Sequence, residues 1–127
     1  MDKKKILIVD DEIEMVEMET VRLKASGYEV MAAHDGKSGL QKAREWLPDL
    51  VILDIMLPEM NGYEVCAALK ADEKCRNIPI ILVSAMDEKY DTNLGKKVNA
   101  DSFFTKPFEP TALLASIKEL VQGKKIA

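Results

Sequence analysis

Five side chains able to do chemistry stand where apolar runs of this chain stop. Asp10 and Asp11 follow Ile-Leu-Ile-Val (6–9), and Asp54 follows Leu50, Val51, Ile52 and Leu53. Ser84 follows Ile-Ile-Leu-Val (80–83), and Lys106 follows the short run 102–105. Carboxylates are hard oxygen ligands for divalent cations and can serve as nucleophiles, while a hydroxyl and an ammonium can donate to an oxyanion. An aspartate at a strand end also turns or caps a chain on its own account. The set carries more meaning than any member: three carboxylates, a hydroxyl and an ammonium each close a run of the same kind.

The elements that must position them follow from the pattern. The run 50–53 is apolar at every position and bounded by turn residues, which marks a strand buried on both faces, as in a parallel sheet. Similar runs predict strands at 5–9, 28–33, 49–53, 80–83 and 102–105. Helix formers free of Pro and Gly predict a helix over 12–26, closed by Gly27. Further helices are expected over 36–47, ending before Pro48, over 63–72, over the more polar 87–98, and over 110–121, opened by Pro110. In the last helix Leu113, Leu114, Ile117, Leu120 and Val121 form the inward stripe. Strict βα alternation implies a parallel sheet covered by helices on both faces. In such sheets ligands bind at the carboxyl ends of the strands, where the five side chains stand.

Bulk composition narrows the class. The chain has 127 residues, enough for one domain and one conventional core, and a net charge of −4 with its basic residues scattered. That argues against direct nucleic-acid contact. Residues 6–9 are too short for a signal sequence, and no stretch approaches a membrane span, so a cytoplasmic protein is expected. Cys66 and Cys75 are expected on or near one helix, about 13 Å apart on opposite faces, and therefore reduced. With His34 the only histidine, a zinc or iron–sulfur centre is not expected. A single domain over 1–127 is expected, its core at about 4–122, with 123–127 a tail or the start of a linker.

The motifs together resemble the response-regulator receiver domains of two-component signalling systems. They are Ile-Leu-Ile-Val-Asp-Asp-Glu (6–12), Leu-Asp-Ile-Met-Leu-Pro-Glu-Met-Asn-Gly (53–62), Leu-Val-Ser-Ala (82–85) and Phe-Phe-Thr-Lys-Pro-Phe (103–108). The resemblance spans essentially the whole chain. It implies a flavodoxin-like (βα)5 three-layer sandwich with strand order 2-1-3-4-5. That order would bring Asp10 and Asp11 beside Asp54, where three carboxylates repel one another unless a cation joins them.

The resemblance further implies Mg²⁺ held by Asp11, Asp54 and the backbone carbonyl of Met56, with Asp10 acting through water. Asp54 would be the nucleophile that takes a phosphoryl group from a phosphohistidine, with Lys106 and Ser84 facing the phosphoryl oxygens. Ser84 and Phe103 would be the switch pair, remodelling the surface made by the fourth predicted helix, the fifth strand and the fifth helix. Implied partners are a sensor histidine kinase or histidine phosphotransfer protein, and a downstream protein or output domain. Phosphorylation-dependent dimerisation is a further implication, and Lys106-Pro107 is a candidate cis peptide.

Some positions depart from the family's habit. Phe103 replaces a frequent tyrosine, Glu59 and Asn61 replace Gly and Asp, and Asn99 replaces Gly. Met15, Met18, Met56, Met60 and Met86 should gather near the site end, where a flexible thioether surface suits a partner and where Met56 and Met86 could screen the phosphoryl group from water. A receiver-like module that binds partners without being phosphorylated is the alternative reading. It usually implies loss of a site residue, and here none is lost.

Overall fold

The computed structural model describes residues 3–84 and 99–123. Five strands form one parallel sheet: β1 (Lys5–Val9), β2 (Glu29–Ala33), β3 (Leu50–Asp54), β4 (Ile80–Ser84) and β5 (Ser102–Thr105), in the order β2-β1-β3-β4-β5. The helices are α1 (Ile13–Ala25), α2 (Gly36–Trp46), α3 (Gly62–Ala71) and the C-terminal α4 (Pro110–Val121). The helix expected over 87–98 lies outside the described residues, as does Met86. The flavodoxin-like order expected from the resemblance is the one observed.

Pairing register shows why the central strands are apolar throughout. Val9, Leu53, Leu82 and Phe103 form one row across the sheet, and all pack into the layer with α2 and α3. The neighbouring row, Ile8, Ile52 and Ile81, packs against α1 and α4. Successive residues thus feed alternate cores, and a strand between two helical layers has no polar face. Each fully buried Leu or Ile contributes about 1.5–3 kcal/mol relative to exposure.

The helices supply the matching stripes. Val16 and Leu23 of α1 meet Leu113, Ile117 and Leu120 of α4 in one layer, with Leu114 and Val121 at its margin. Ala43 of α2 meets Val65, Cys66 and Leu69 of α3 in the other. The open edge of β2 is partly covered by Lys42, whose ammonium donates to the Ala32 carbonyl at 2.6 Å. Gly27, at φ +96°, turns the chain out of α1.

The cysteines lie on or just beyond one helix, as expected, but share one core layer instead of facing opposite ways. Cys66 lies on α3, but the helix ends at Ala71, and Cys75 sits in the following turn, whose amides bond back to Asp72. Asp72 also accepts the Lys74 amide at 2.9 Å, and this local bonding draws the chain out of the helix. Both cysteines are buried, and neither is in a disulfide. Burial pushes the Cys66 thiol up to about 12, which makes it unreactive.

Candidate functional site

The register that builds the core also aligns the strand ends. Val9 pairs with Leu53, so Asp10 and Asp54 emerge at the same level of neighbouring strands. Ser84 pairs with Thr105, and the Lys106 amide continues that ladder by donating to the Ser84 carbonyl at 2.7 Å. Residues 96 positions apart therefore meet: the Lys106 ammonium lies 2.8 Å from Asp10 Oδ2. It lies 2.5 Å from Glu12 Oε1 and 3.6 Å from Asp54 Oδ2. Asp10 and Asp54 are only 2% and 3% exposed. The Lys106–Pro107 peptide is cis.

Local structure holds each carboxylate by one oxygen. Asp10 Oδ1 accepts the Glu12 amide at 2.9 Å, which ties it to the first turn of α1. Asp54 Oδ1 accepts the Met56 amide at 3.1 Å. The loop after Asp54 returns so closely that Gly62 cannot be replaced without movement, because a Cβ there would stand 2.4 Å from the Asp54 carbonyl oxygen. Asn61 then starts α3 with a reciprocal capping box, accepting the Glu64 amide while Glu64 accepts its own. Glu59 and Asn99 both adopt left-handed backbone, at φ 65° and 64°. Glycine is most at ease there, and asparagine tolerates it better than glutamate.

Electrostatics follow from this packing. Burial, then the charge of Asp10, raises the Asp54 carboxyl from 3.8 to about 6; Lys106 and the Met56 amide oppose the rise, and Asp11 adds to it. Burial works against the Lys106 charge, but its hydrogen bonds to Asp10 and Glu12 and the negative charge of Asp54 outweigh that and raise its pKa. Lys106 thus stays an ammonium among carboxylates that outnumber it.

The expected residues converge with one difference of emphasis. Asp10, Glu12 and Asp54 each bring a carboxylate oxygen to within 4.8 Å of the others. Glu12 is the member that sequence reasoning did not single out, although it stands third in the Asp-Asp-Glu run. Asp11 is exposed on the rim and reaches Asp54 through its charge. Ser84 is buried beside the cleft, and Phe103 is half-buried against the α2/α3 layer. Of the methionines, Met18 and Met56 are exposed, Met15 lies beside Lys106 and Phe108, and Met60 packs on the core. An all-oxygen donor set with an excess of negative charge fits a hard divalent cation such as Mg²⁺.

Fold and cleft together define a flavodoxin-like α/β domain with a cluster of buried carboxylates and an ammonium at the carboxyl ends of its strands. The chain belongs to the response regulator receiver domain family, whose profile matches residues 6–118. It is 42% identical to the alkaline phosphatase synthesis transcriptional regulatory protein PhoP of Bacillus subtilis over 124 residues, covering 98% of this chain and 51% of PhoP. The chain spans about half the length of curated relatives such as PhoP. The structure of the chemotaxis response regulator CheY4 of Vibrio cholerae superposes with a TM-score of 0.86 at 33% identity, covering 94% of this chain and 99% of that one. The receiver domain of the sensor histidine kinase PA1611 of Pseudomonas aeruginosa, solved with magnesium in its active-site cleft, shares the fold. Its TM-score is 0.87 at 24% identity, covering 95% and 99% of the two chains. Among the described residues no helix is long and apolar enough to cross a membrane.

Proposed function

We propose that Asp54 is the phosphoacceptor of a phosphorylation-activated switch, charged by a phosphohistidine on a sensor kinase or phosphotransfer protein. The observation that carries this reading is the cleft itself: a buried aspartate at a strand end, 3.6 Å from a half-buried ammonium and flanked by Asp10 and Glu12. Asp54 Oδ1 is held by the Met56 amide, which leaves Oδ2 to attack phosphorus in line with the departing imidazole. The Oδ2–P bond forms as the P–N bond breaks, and the product is an acyl phosphate on Asp54. Such a transfer depends on position and charge neutralisation more than on covalent help.

Asp11, Asp54 and the Met56 carbonyl would hold Mg²⁺, with Asp10 acting through water and Glu12 near enough to join. Bound there, the ion would neutralise charge on the phosphoryl oxygens. Lys106 exchanges its contacts to Asp10 and Glu12 for a phosphoryl oxygen, and Ser84 donates its hydroxyl to another. Phe103 follows Ser84, and the altered surface around β5 and α4 governs a downstream protein or output domain. PhoP is a transcriptional regulatory protein, which supports an output role of that kind in a longer chain. The domain is regulatory and catalyses only its own phosphorylation and slow dephosphorylation. Its buried cysteines, neither in a disulfide, suit a cytoplasmic setting.

Intact mass after incubation with acetyl phosphate and Mg²⁺ tests the reading. A single labile adduct in the wild type, abolished by EDTA and by Asp54→Ala, is the expected result. An adduct of equal yield in Asp54→Ala would overturn it, as would no adduct even with a competent phosphodonor kinase.

A further inference from the structure

We propose that His34, the only histidine, is a positioning residue: its ring holds the peptide plane that carries Asp11 and thereby sets the Mg²⁺ affinity of the cleft. His34 Nδ1 lies 3.0 Å from the Asp10 carbonyl oxygen. A carbonyl only accepts, so Nδ1 carries the hydrogen, and this fixes the tautomer. The Asp10 carbonyl and the Asp11 amide share one rigid peptide plane. Holding the carbonyl therefore fixes the direction in which Asp11 leaves the end of β1.

The contact is held from both sides in sequence. The Asp10 amide donates to the Ala33 carbonyl at 3.0 Å, so residues 33 and 34 together grip both polar groups of the Asp10 backbone. On the other side of His34, Asp35 caps α2 by accepting the Ser38 amide at 2.7 Å. The ring is thus delivered by a segment fixed at both ends. The Asp10 side chain is engaged elsewhere, with Glu12 and Lys106, and Asp11 is exposed. Among the described residues, the His34 bond is the hydrogen bond that the Asp10 carbonyl accepts, and it orients the peptide between them. It also survives protonation, because the imidazolium keeps its Nδ1 hydrogen, so the role is geometric and requires no titration.

The proposal rests on the Asp54–Mg²⁺ reading, and its test separates the two. His34→Phe keeps a ring and loses the donor; His34→Asn loses the ring and keeps an N–H donor at the position of Nδ1. In the full chain, titrated with MgCl₂ by calorimetry, His34→Phe should bind roughly 10-fold more weakly, the low end of what outer partners of metal ligands give. His34→Asn should stay within about 2-fold of wild type if the donor alone carries the effect. With acetyl phosphate, the Phe variant should need proportionally more Mg²⁺ for half-maximal rate and reach the wild-type rate at saturation.

Equal Mg²⁺ affinity in His34→Phe and wild type overturns the proposal, as does an Asn variant as weak as Phe. So does a loss of urea stability in EDTA without a loss of Mg²⁺ affinity. Nitrogen-15 spectra of the Mg²⁺-free protein must show hydrogen on Nδ1; an Nε2–H tautomer overturns the assignment independently of any metal. If the wild type itself takes up neither Mg²⁺ nor a phosphoryl group, the phosphoacceptor reading fails, and the role of His34 in it fails as well.

Discussion

Replacing Asp54 with asparagine should stabilise the metal-free protein at neutral pH. The folded protein raises the Asp54 carboxyl from 3.8 to about 6, chiefly through burial and the charge of Asp10. A carboxyl raised on folding favours the native state fully below the unfolded value, and that advantage is lost as pH rises through the folded value. At ~1.36 kcal/mol per pH unit the gap is worth about 3 kcal/mol. Solvent relaxation at the open end of the cleft removes roughly half, leaving ~1–2 kcal/mol. Asparagine keeps the shape and can still accept the Met56 amide, but it carries no charge. Urea unfolding in EDTA from pH 4 to 8 measures the difference. The advantage of the Asp54→Asn variant should be near zero at pH 4, grow between about pH 4 and 6, and level off above. Mg²⁺ at about ten times its Kd should then return ~1.4 kcal/mol to the wild type at pH 7.5 and far less to the variant. An advantage independent of pH, or a variant less stable than wild type at pH 7.5, would refute the claim that this carboxylate is held ionised at a cost.

Other consequences follow from the same geometry. Gly62→Ala would push a Cβ into the Asp54 carbonyl, 2.4 Å away, so it should cost about 2–3 kcal/mol in urea unfolding and slow acetyl-phosphate labelling. Asn61→Ala removes the acceptor of the α3 capping box and should cost ~1 kcal/mol, with labelling intact at low urea. Glu59→Gly relieves the left-handed backbone at φ 65° and should raise stability by about 0.5–1 kcal/mol, a gain read from the urea midpoint. Lys106→Met removes the ammonium that neutralises the cleft; labelling measured by intact mass should fall roughly 100-fold, while Mg²⁺ binding persists because the carboxylates remain.

The order of residue types along the chain suffices to place the sheet and to locate the chemistry. Strands sandwiched between two helical layers have no polar side, so 6–9, 50–53 and 80–83 read as unbroken apolar runs, and the polar side chain that follows each run marks a strand end. The boundaries agree with the structure within a residue or so: β3 and β4 each extend by one residue to include Asp54 and Ser84. Which side chains meet is settled by the folded arrangement alone. Glu12, beside Asp11 in the sequence, joins Asp10 and Asp54 because Lys106, 94 residues later, draws its carboxylate in. His34 has no role legible in the sequence until parallel pairing of β1 and β2 brings it to the Asp10 carbonyl. Cys75 reads only as on or near the helix over 63–72 until the Asp72 side chain and carbonyl take up the amides of the following turn and place it in the same core as Cys66. Periodicity records which way a residue faces within its own element. The partner it meets depends on register between strands distant in sequence and on the direction of a single side chain, and both are fixed only when the two cores close.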